Sequence, residues 1–258
     1  METFDVGRTL SRTFSLIGKT IGSAGLLLLA VQIVSAGFNF AVSGTLAMNA
    51  QPSPTSGNQA TALALFGSTW YWVSMIAGIL LGSLSWAGSI HAMLKAAVGT
   101  EVSFAECVSA GLAKLFPVLG LFVLWFLGVG LGWLLLLVPG IILITMWSVA
   151  LPAQINENLG IFASFGRSRA LTRGFRWKIF AVLFVTLLII YAVLFAGMGA
   201  GLMGMSATMG QSPVFSLVSI PIGWIFTSMI NALLVSIYVE ATTAKEGGFN
   251  SQLGEVFS

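Results

Sequence analysis

Residues 115–156 read "LFPVLGLFVLWFLGVGLGWLLLLVPGIILITMWSVALPAQIN", a stretch of 42 residues without Asp, Glu, Lys or Arg. A membrane core about 30 Å thick is crossed by about 20 helical residues. The stretch is therefore too long for one crossing and suits two. Val138-Pro139-Gly140 divides it, because proline suits the first turn of the helix that follows.

Two further stretches without these four residue types, 20–94 and 179–239, are 75 and 61 residues long. Each is interrupted by a polar, uncharged segment, "NAQPSPTSGNQAT" at 49–61 and "GMSATMGQSP" at 204–213. Such clusters of Ser, Gly and Pro are typical of turns. The sequence therefore predicts an all-α integral membrane protein, a single domain over 1–258, with six transmembrane helices arranged as three hairpins. The predicted spans are 21–43, 69–96, 115–137, 140–156, 178–203 and 214–241.

The composition supports this fold class. Hydrophobic residues make up 57% of the chain and charged residues 7%. A soluble domain carries about 25% charged residues, because its surface faces water. The composition therefore excludes a soluble protein of this length, and we expect membrane lipids rather than nucleic acid as partners.

The basic residues predict the orientation in the membrane. All eleven Lys and Arg residues lie in the segments 1–19, 95–114, 157–178 and 240–258. Six spans place these segments on one side, which the positive-inside rule identifies as cytoplasmic. Both termini are then predicted in the cytoplasm. Basic residues before an apolar stretch also fit a signal peptide, although the leader is long for one.

Three of the basic segments, 4–19, 101–115 and 161–176, show helical amphipathicity. Each precedes an odd-numbered span, and we expect each to lie in the membrane interface with its apolar face towards the lipid. This layout suggests a threefold repeat of one interfacial helix and one hairpin. The apolar face of the first segment is formed by Val6, Leu10, Phe14 and Ile17. The stripe on the third is formed by Ile161, Phe165, Ser168, Leu171 and Phe175.

A cluster of cations without an acid lies between residues 167 and 178. Arginine pairs with phosphate oxygens through a planar fork, so we predict that this cluster binds the phosphates of anionic lipids. The alternative is that these charges only fix the orientation of the chain under the positive-inside rule. The predicted lipid-phosphate residues are Arg167, Arg169, Arg173, Arg176 and Lys178.

Residues 134–180, "LLLLVPGIILITMWSVALPAQINENLGIFASFGRSRALTRGFRWKIF", contain a recognisable set of motifs. Together with "YVEATTAKEGG" at 238–248, they resemble the membrane domain of some glycerophosphoryl diester phosphodiesterases and related uncharacterised bacterial six-helix membrane proteins. The resemblance implies location in the bacterial cytoplasmic membrane. The matching residues are Pro139-Gly140, Pro152, Glu157, Arg167-Ser168, Leu171-Thr172-Arg173-Gly174, Arg176-Trp177, Tyr238, Glu240, Lys245, Glu246 and Gly247.

The family's phosphodiesterase chemistry resides in a separate soluble barrel rich in histidines and metal-binding carboxylates. This chain has one histidine, His91, and eight acids without metal-binding spacing. We therefore predict no catalytic residue, cofactor or metal, and a non-enzymatic scaffold or accessory subunit that binds anionic lipid or a membrane partner. The alternative is a transporter or channel for a lipid-like or uncharged solute. The sequence leaves the oligomeric state open.

Other features of the spans predict helix packing. Gly78-x-x-x-Gly82 and Gly197-x-x-x-Gly201 are spaced for close contact between helices. Asn39 and Asn231 are polar residues in apolar surroundings. We expect both asparagines to form hydrogen bonds with neighbouring helices.

Overall fold

The computed structural model describes residues 4–49, 67, 69–202 and 213–247. Over these residues the secondary structure is helical, without strands. A π-helix, Ile21–Gly25, joins the first two α-helices. The α-helices are α1 (Val6–Thr20), α2 (Leu26–Asn49), α3 (Thr69–Ala97), α4 (Phe104–Ala113), α5 (Leu115–Leu135), α6 (Leu137–Met146), α7 (Ala150–Glu157), α8 (Ile161–Thr172), α9 (Arg176–Leu202) and α10 (Pro213–Glu246).

Five helical segments are long and apolar enough to cross a membrane, and the pair α8–α9, bent by 100°, makes up to six. The helices thus have the lengths and composition of a multi-pass membrane protein. Predicted spans two, three, four and six coincide with the segments found on α3, α5, α6–α7 and α10. The predicted loops at 50–61 and 204–212 lie outside the described residues. The five segments are Val6–Phe38, Thr69–Ala97, Leu115–Leu135, Val138–Glu157 and Ile220–Glu246.

The turn between α5 and α6 lies earlier than the sequence predicts. Leu136 alone is extended, with φ −169° and ψ 153°. Pro139 falls in the first turn of α6, where its missing N–H removes no hydrogen bond. A second break, at residues 147–149, separates α6 from α7. The fourth predicted span is therefore two helices in sequence.

The first predicted interfacial segment is continuous with the first span. Helix α1 runs through the π-helix into α2 without a break, so it is not a separate helix. On its predicted apolar stripe, Val6, Leu10 and Ile17 pack partly buried against the core, whereas Phe14 is 56% exposed. Each of three buried threonines donates a hydrogen bond to the carbonyl four residues earlier, which satisfies its hydroxyl inside the helix. These bonds join Thr9 to Asp5, Thr13 to Thr9 and Thr20 to Leu16, at 2.7, 2.8 and 2.8 Å.

The other two predicted segments form the short helices α4 and α8, which precede α5 and α9. Helix α8 ends at Thr172, four residues before the predicted end, because Gly174 has a φ of +94°, which leaves the helical conformation and favours glycine. On its predicted stripe, Leu171 is buried, and Phe165 packs against Trp147 with ring centroids 4.7 Å apart. This stripe therefore faces protein. Whether α4 and α8 lie in the interface stays a prediction.

Helix α3 contacts α1, α2, α4, α5, α7 and α10, and glycine allows its closest approach to α4. A Cβ added at Gly88 would lie 2.4 Å from the Cys107 carbonyl oxygen, and one at Gly111 would lie 2.6 Å from that of Leu84. At Gly78 and Gly82 no described atom comes within 4 Å of an added Cβ, so their packing role stays a prediction.

The prediction for Asn231 is confirmed. Its amide in α10 donates a 2.7 Å hydrogen bond to the hydroxyl of Ser89 in α3, and both residues are fully buried. The surroundings of Asn39, Gly197 and Gly201 fall outside the part that the structure describes.

The two glycine positions on α3 make a matched pair for mutation. Gly88→Ala should lower the free energy of unfolding by about 1–3 kcal/mol, because the methyl group meets the backbone of α4. Gly82→Ala should be neutral or stabilise by up to about 1 kcal/mol through helix propensity. Thermal unfolding in detergent measures both, and equal shifts in Tm would contradict the close packing of α3 on α4.

Labelling of intact cells tests the orientation. Ser56→Cys and Ser206→Cys should react with an impermeant thiol reagent added outside. Ala170→Cys, an exposed position on α8, should react only after permeabilisation. The native Cys107 is buried and should stay unlabelled in both conditions. Reaction of Ala170→Cys in sealed cells would rule out the six-span orientation.

Candidate functional site

The charged segments of the chain meet at one end of the helices. Contacts between remote segments show this: Lys178 Nζ donates to the Phe4 carbonyl at 3.0 Å, and Lys114 and Lys245 donate to Asn158 and to the Ala170 carbonyl. Arg8 and Arg12 at the start of the chain pair with Glu240 near its end. The prediction that these segments share one side agrees with these contacts. That this side is cytoplasmic stays a prediction.

An ion-pair cluster joins α7, α8 and α10 at this end. Arg167 Nε lies 2.9 Å from both carboxylate oxygens of Glu157, and its two Nη atoms lie 2.6 and 3.0 Å from the oxygens of Glu246. Tyr238 donates a 2.8 Å hydrogen bond to Glu157 and accepts a 3.0 Å bond from Asn156. We call these five residues the Arg167 cluster. It holds the ends of three helices together.

Arg167 is a predicted lipid-phosphate residue. In the structure its guanidinium lies between Glu157 and Glu246. Two carboxylates occupy its guanidinium, and its side chain is only 26% exposed. Acids near the end of an apolar helix need a cation close by, since a desolvated unpaired charge is costly. Glu157 and Glu246 have such a cation in Arg167, which leaves its fork without room for a phosphate.

Glu240 forms a second ionic contact between α10 and the start of the chain. Its carboxylate is 2% exposed and lies 2.8 Å from Arg8 and 3.4 Å from Arg12. It also accepts a 3.2 Å hydrogen bond from the backbone N–H of Asp5. Asp5 caps α1 by accepting from the N–H of Arg8 at 2.9 Å, and this hydrogen bond lowers the pKa of the Asp5 carboxyl. These contacts fix α1 against α10.

A third ionic contact lies between α3 and α4. Glu106 accepts a short hydrogen bond from Lys95, which lowers the pKa of the Glu106 carboxyl, and His91 Nε2 lies 3.7 Å away. Burial raises the pKa of the neighbouring Cys107 thiol. Within the described residues no group of three His, Cys, Asp or Glu side chains is placed to hold a metal ion.

The remaining arginines line a cleft at the bend between α8 and α9. Its volume is about 470 Å³, and its walls are Arg169, Arg173, Gly174, Arg176 and Trp177. We call it the basic cleft. No described carboxylate forms an ion pair with any of its three arginines. The first N–H groups of α9 add positive potential at the same place. The cleft therefore has the charge of an anion site.

Hydrogen bonds to α6 hold α8 beside the cleft. The last carbonyl groups of a helix have no partner within it. The Met146 carbonyl, at the end of α6, accepts a 2.8 Å bond from Ser168. The Thr172 hydroxyl lies 3.4 Å from the same carbonyl and donates its proton to the Ser168 carbonyl at 2.9 Å. Ser168 and Thr172 are both fully buried. These bonds fix the last turn of α8, and with it Arg169 and Arg173.

Arg176 belongs to two neighbouring spaces. Its Nε atom is buried and has no hydrogen-bond partner among the described residues. With Trp177 it also lines an apolar groove of about 220 Å³ between α6 and α9. The other walls of this apolar groove are Ile141, Ile142, Thr145 and Phe180.

The five predicted lipid-phosphate residues thus divide into three sets. Arg169, Arg173 and Arg176 meet in the basic cleft, Arg167 lies in the ion-pair cluster, and Lys178 holds the Phe4 carbonyl. The sequence offered a signal for Arg167, since Glu157 and Glu246 needed partners at the same end. It offered none for the apolar groove, which depends on the break between α6 and α7 and on the bend before α9.

Comparisons of the chain with protein-family models, with curated proteins and with solved structures find no match. The resemblance to the phosphodiesterase membrane domain therefore stays a prediction. The structure does bring its two segments together, since Glu157 and Arg167 of the first contact Tyr238 and Glu246 of the second.

Neutral substitutions separate the two kinds of arginine on α8. Arg167→Gln should lower the free energy of unfolding by about 1–3 kcal/mol, because it leaves Glu157 and Glu246 without their cation. Arg169→Gln, at an exposed position without a described acidic partner, should change it by less than about 0.5 kcal/mol. Denaturation in detergent measures both. A cost for Arg169→Gln as large as that for Arg167→Gln would contradict the assignment of Arg167.

Proposed function

We propose that this chain is a non-enzymatic protein of the bacterial cytoplasmic membrane that binds an anionic lipid in the basic cleft and serves as a scaffold or accessory subunit. The observation that carries the proposal is the distribution of charge at one end of the helices. Four of the described acids there, Glu106, Glu157, Glu240 and Glu246, pair with Arg8, Arg12, Lys95 and Arg167. The three arginines of the cleft are left facing a common space.

The surroundings of the cleft favour a lipid over a soluble anion. Trp177, in the wall of the cleft, is 85% exposed. Tryptophan side chains favour the depth of the lipid headgroups. Arginine side chains beside them would meet phosphates at that depth, where the planar guanidinium pairs with two oxygens at once.

Loss of two cleft arginines tests the proposal. A hydrogen bond from a cleft arginine to a bound phosphate contributes about 1 kcal/mol, so Arg169→Gln with Arg173→Gln should weaken retention of phosphatidylglycerol roughly 30-fold. Native mass spectrometry of protein extracted from mixed phosphatidylglycerol and phosphatidylethanolamine vesicles measures the retained lipid. The matched control, Lys19→Gln with Lys114→Gln, removes the same charge from the same end and should retain lipid as the unmodified protein does.

Lysine substitution separates phosphate recognition from a topology signal. Replacing Arg169, Arg173 and Arg176 by lysine keeps the charge and removes the fork. We expect unchanged expression and topology with weaker lipid retention. If the lysine variant and the glutamine variant both retain lipid fully, the cluster only orients the chain and the proposal is wrong.

A further inference from the structure

We propose that the basic cleft and the apolar groove are two parts of one site, which takes a single phospholipid with its phosphate at the arginines and the start of one acyl chain between α6 and α9. This inference rests on the proposed function, because it assumes that the cleft binds lipid phosphate. It adds the class of the ligand and the position of its chain.

The first argument is that the two spaces share walls. Arg176 and Trp177 line both the cleft of about 470 Å³ and the groove of about 220 Å³. Phe180, one turn further along α9, lines the groove but not the cleft. A ligand that passes from the arginines along α9 therefore moves from a cationic wall to a carbon-rich one within one helical turn.

The second argument concerns the groove's surface. Thr145 is the only uncharged polar side chain among its lining residues, and its hydroxyl donates to its own helix, with the Ile141 and Ile142 carbonyl oxygens 3.1 and 2.8 Å away. It therefore presents carbon atoms to the groove, as do the two isoleucines. A groove of this chemistry favours a hydrocarbon chain over a polar solute, and its volume admits only part of such a chain.

The third argument is the position of Arg176. Its buried Nε lacks an acceptor among the described residues, and a buried polar group without a partner is unfavourable. The residue stands where the cleft meets the groove, which is where the phosphate and glycerol ester oxygens of a phospholipid would lie. An oxygen at this point would meet the Arg176 side chain, which lines both spaces, while the chain fills the groove.

The charges of the site restrict the headgroup. Three arginines line the cleft, and Lys245 lies close by, with its Nζ bonded to the Ala170 carbonyl and 5.9 Å from the Phe175 ring centroid. An ethanolamine or choline group would bring a further cation among them. The ligand is therefore a phospholipid with a net negative, amine-free headgroup, of the kind that phosphatidylglycerol represents.

Filling the groove tests this inference. Ile142→Trp places an indole in the groove at a half-exposed position, and Val138→Trp adds the same group to the exposed outer part of α6. Binding is measured with phosphatidylglycerol in nanodiscs and with glycerol 3-phosphate as a soluble phosphate without chains. Ile142→Trp should weaken phosphatidylglycerol binding about tenfold, the loss expected when two methylenes leave an apolar contact. Val138→Trp should bind as the unmodified protein does.

Two further measurements distinguish failure of this inference from failure of the proposed function. Glycerol 3-phosphate should bind the Ile142→Trp variant and the unmodified protein equally, and Arg169→Gln with Arg173→Gln should weaken the binding of both ligands. Equal phosphatidylglycerol binding by Ile142→Trp and Val138→Trp would overturn the groove assignment while leaving the cleft intact. Failure of the unmodified protein to prefer phosphatidylglycerol over phosphatidylethanolamine would overturn the proposed function itself.

A direct measurement covers the case in which Ile142→Trp does not fold. Phosphatidylglycerol with a photoreactive diazirine near the ester end of one chain should crosslink to α6 between Ile141 and Thr145 or to Phe180 of the unmodified protein. Crosslinks distributed over the exposed apolar residues of α5 instead would contradict a defined position for the chain.

Discussion

The hydrocarbon core of a bilayer offers no hydrogen-bond partner, and this constraint organises the whole chain. Helices satisfy the backbone, so the described apolar stretches are helical apart from Leu136 and the turn at 147–149. Hydroxyl side chains follow the same rule. Thr186 and Ser236, both fully buried, donate to the carbonyl four residues earlier at 2.8 Å. Charged side chains cannot be satisfied by the carbonyl groups of their own helix in this way. They lie at one end of the helices, where acids and bases form ion pairs with one another.

The pairing of charges at that end determines which cations stay available. Glu240 occupies Arg8 and Arg12, and Glu157 with Glu246 occupies Arg167. These pairs connect the start of the chain, α8 and the end of α10, so they stabilise the packing of helices that are far apart in sequence. The arginines beyond Arg167 have no such described partner. The ion pairs that hold these helices together therefore also leave the three arginines of the basic cleft without a described acidic partner.

The sequence predicts the parts of this fold that depend on the length of apolar stretches. Spans on α3, α5 and α10 follow from charge-free runs and need no knowledge of neighbours. The sequence does not show which neighbour a residue meets. Gly78 and Gly82 have the spacing for close contact, yet helix α4 crosses α3 at Gly88. The apolar stripe of α1 was read from hydrophobicity, which does not register that Thr9 and Thr13 can be buried once their hydroxyls are bonded within the helix.

The candidate site shows the same division. A cluster of cations at 167–178 is visible in the sequence, but its concave shape arises from the 100° bend between α8 and α9. In a straight helix, Arg169, Arg173 and Arg176 would lie along one convex face about 10 Å long. Gly174 permits the bend, and the bond from Ser168 to the Met146 carbonyl holds α8 against α6 on one side of it. The arginines thus face a cleft that shares Arg176 and Trp177 with the apolar groove between α6 and α9. The proposed site obtains its phosphate end and its apolar end from this junction.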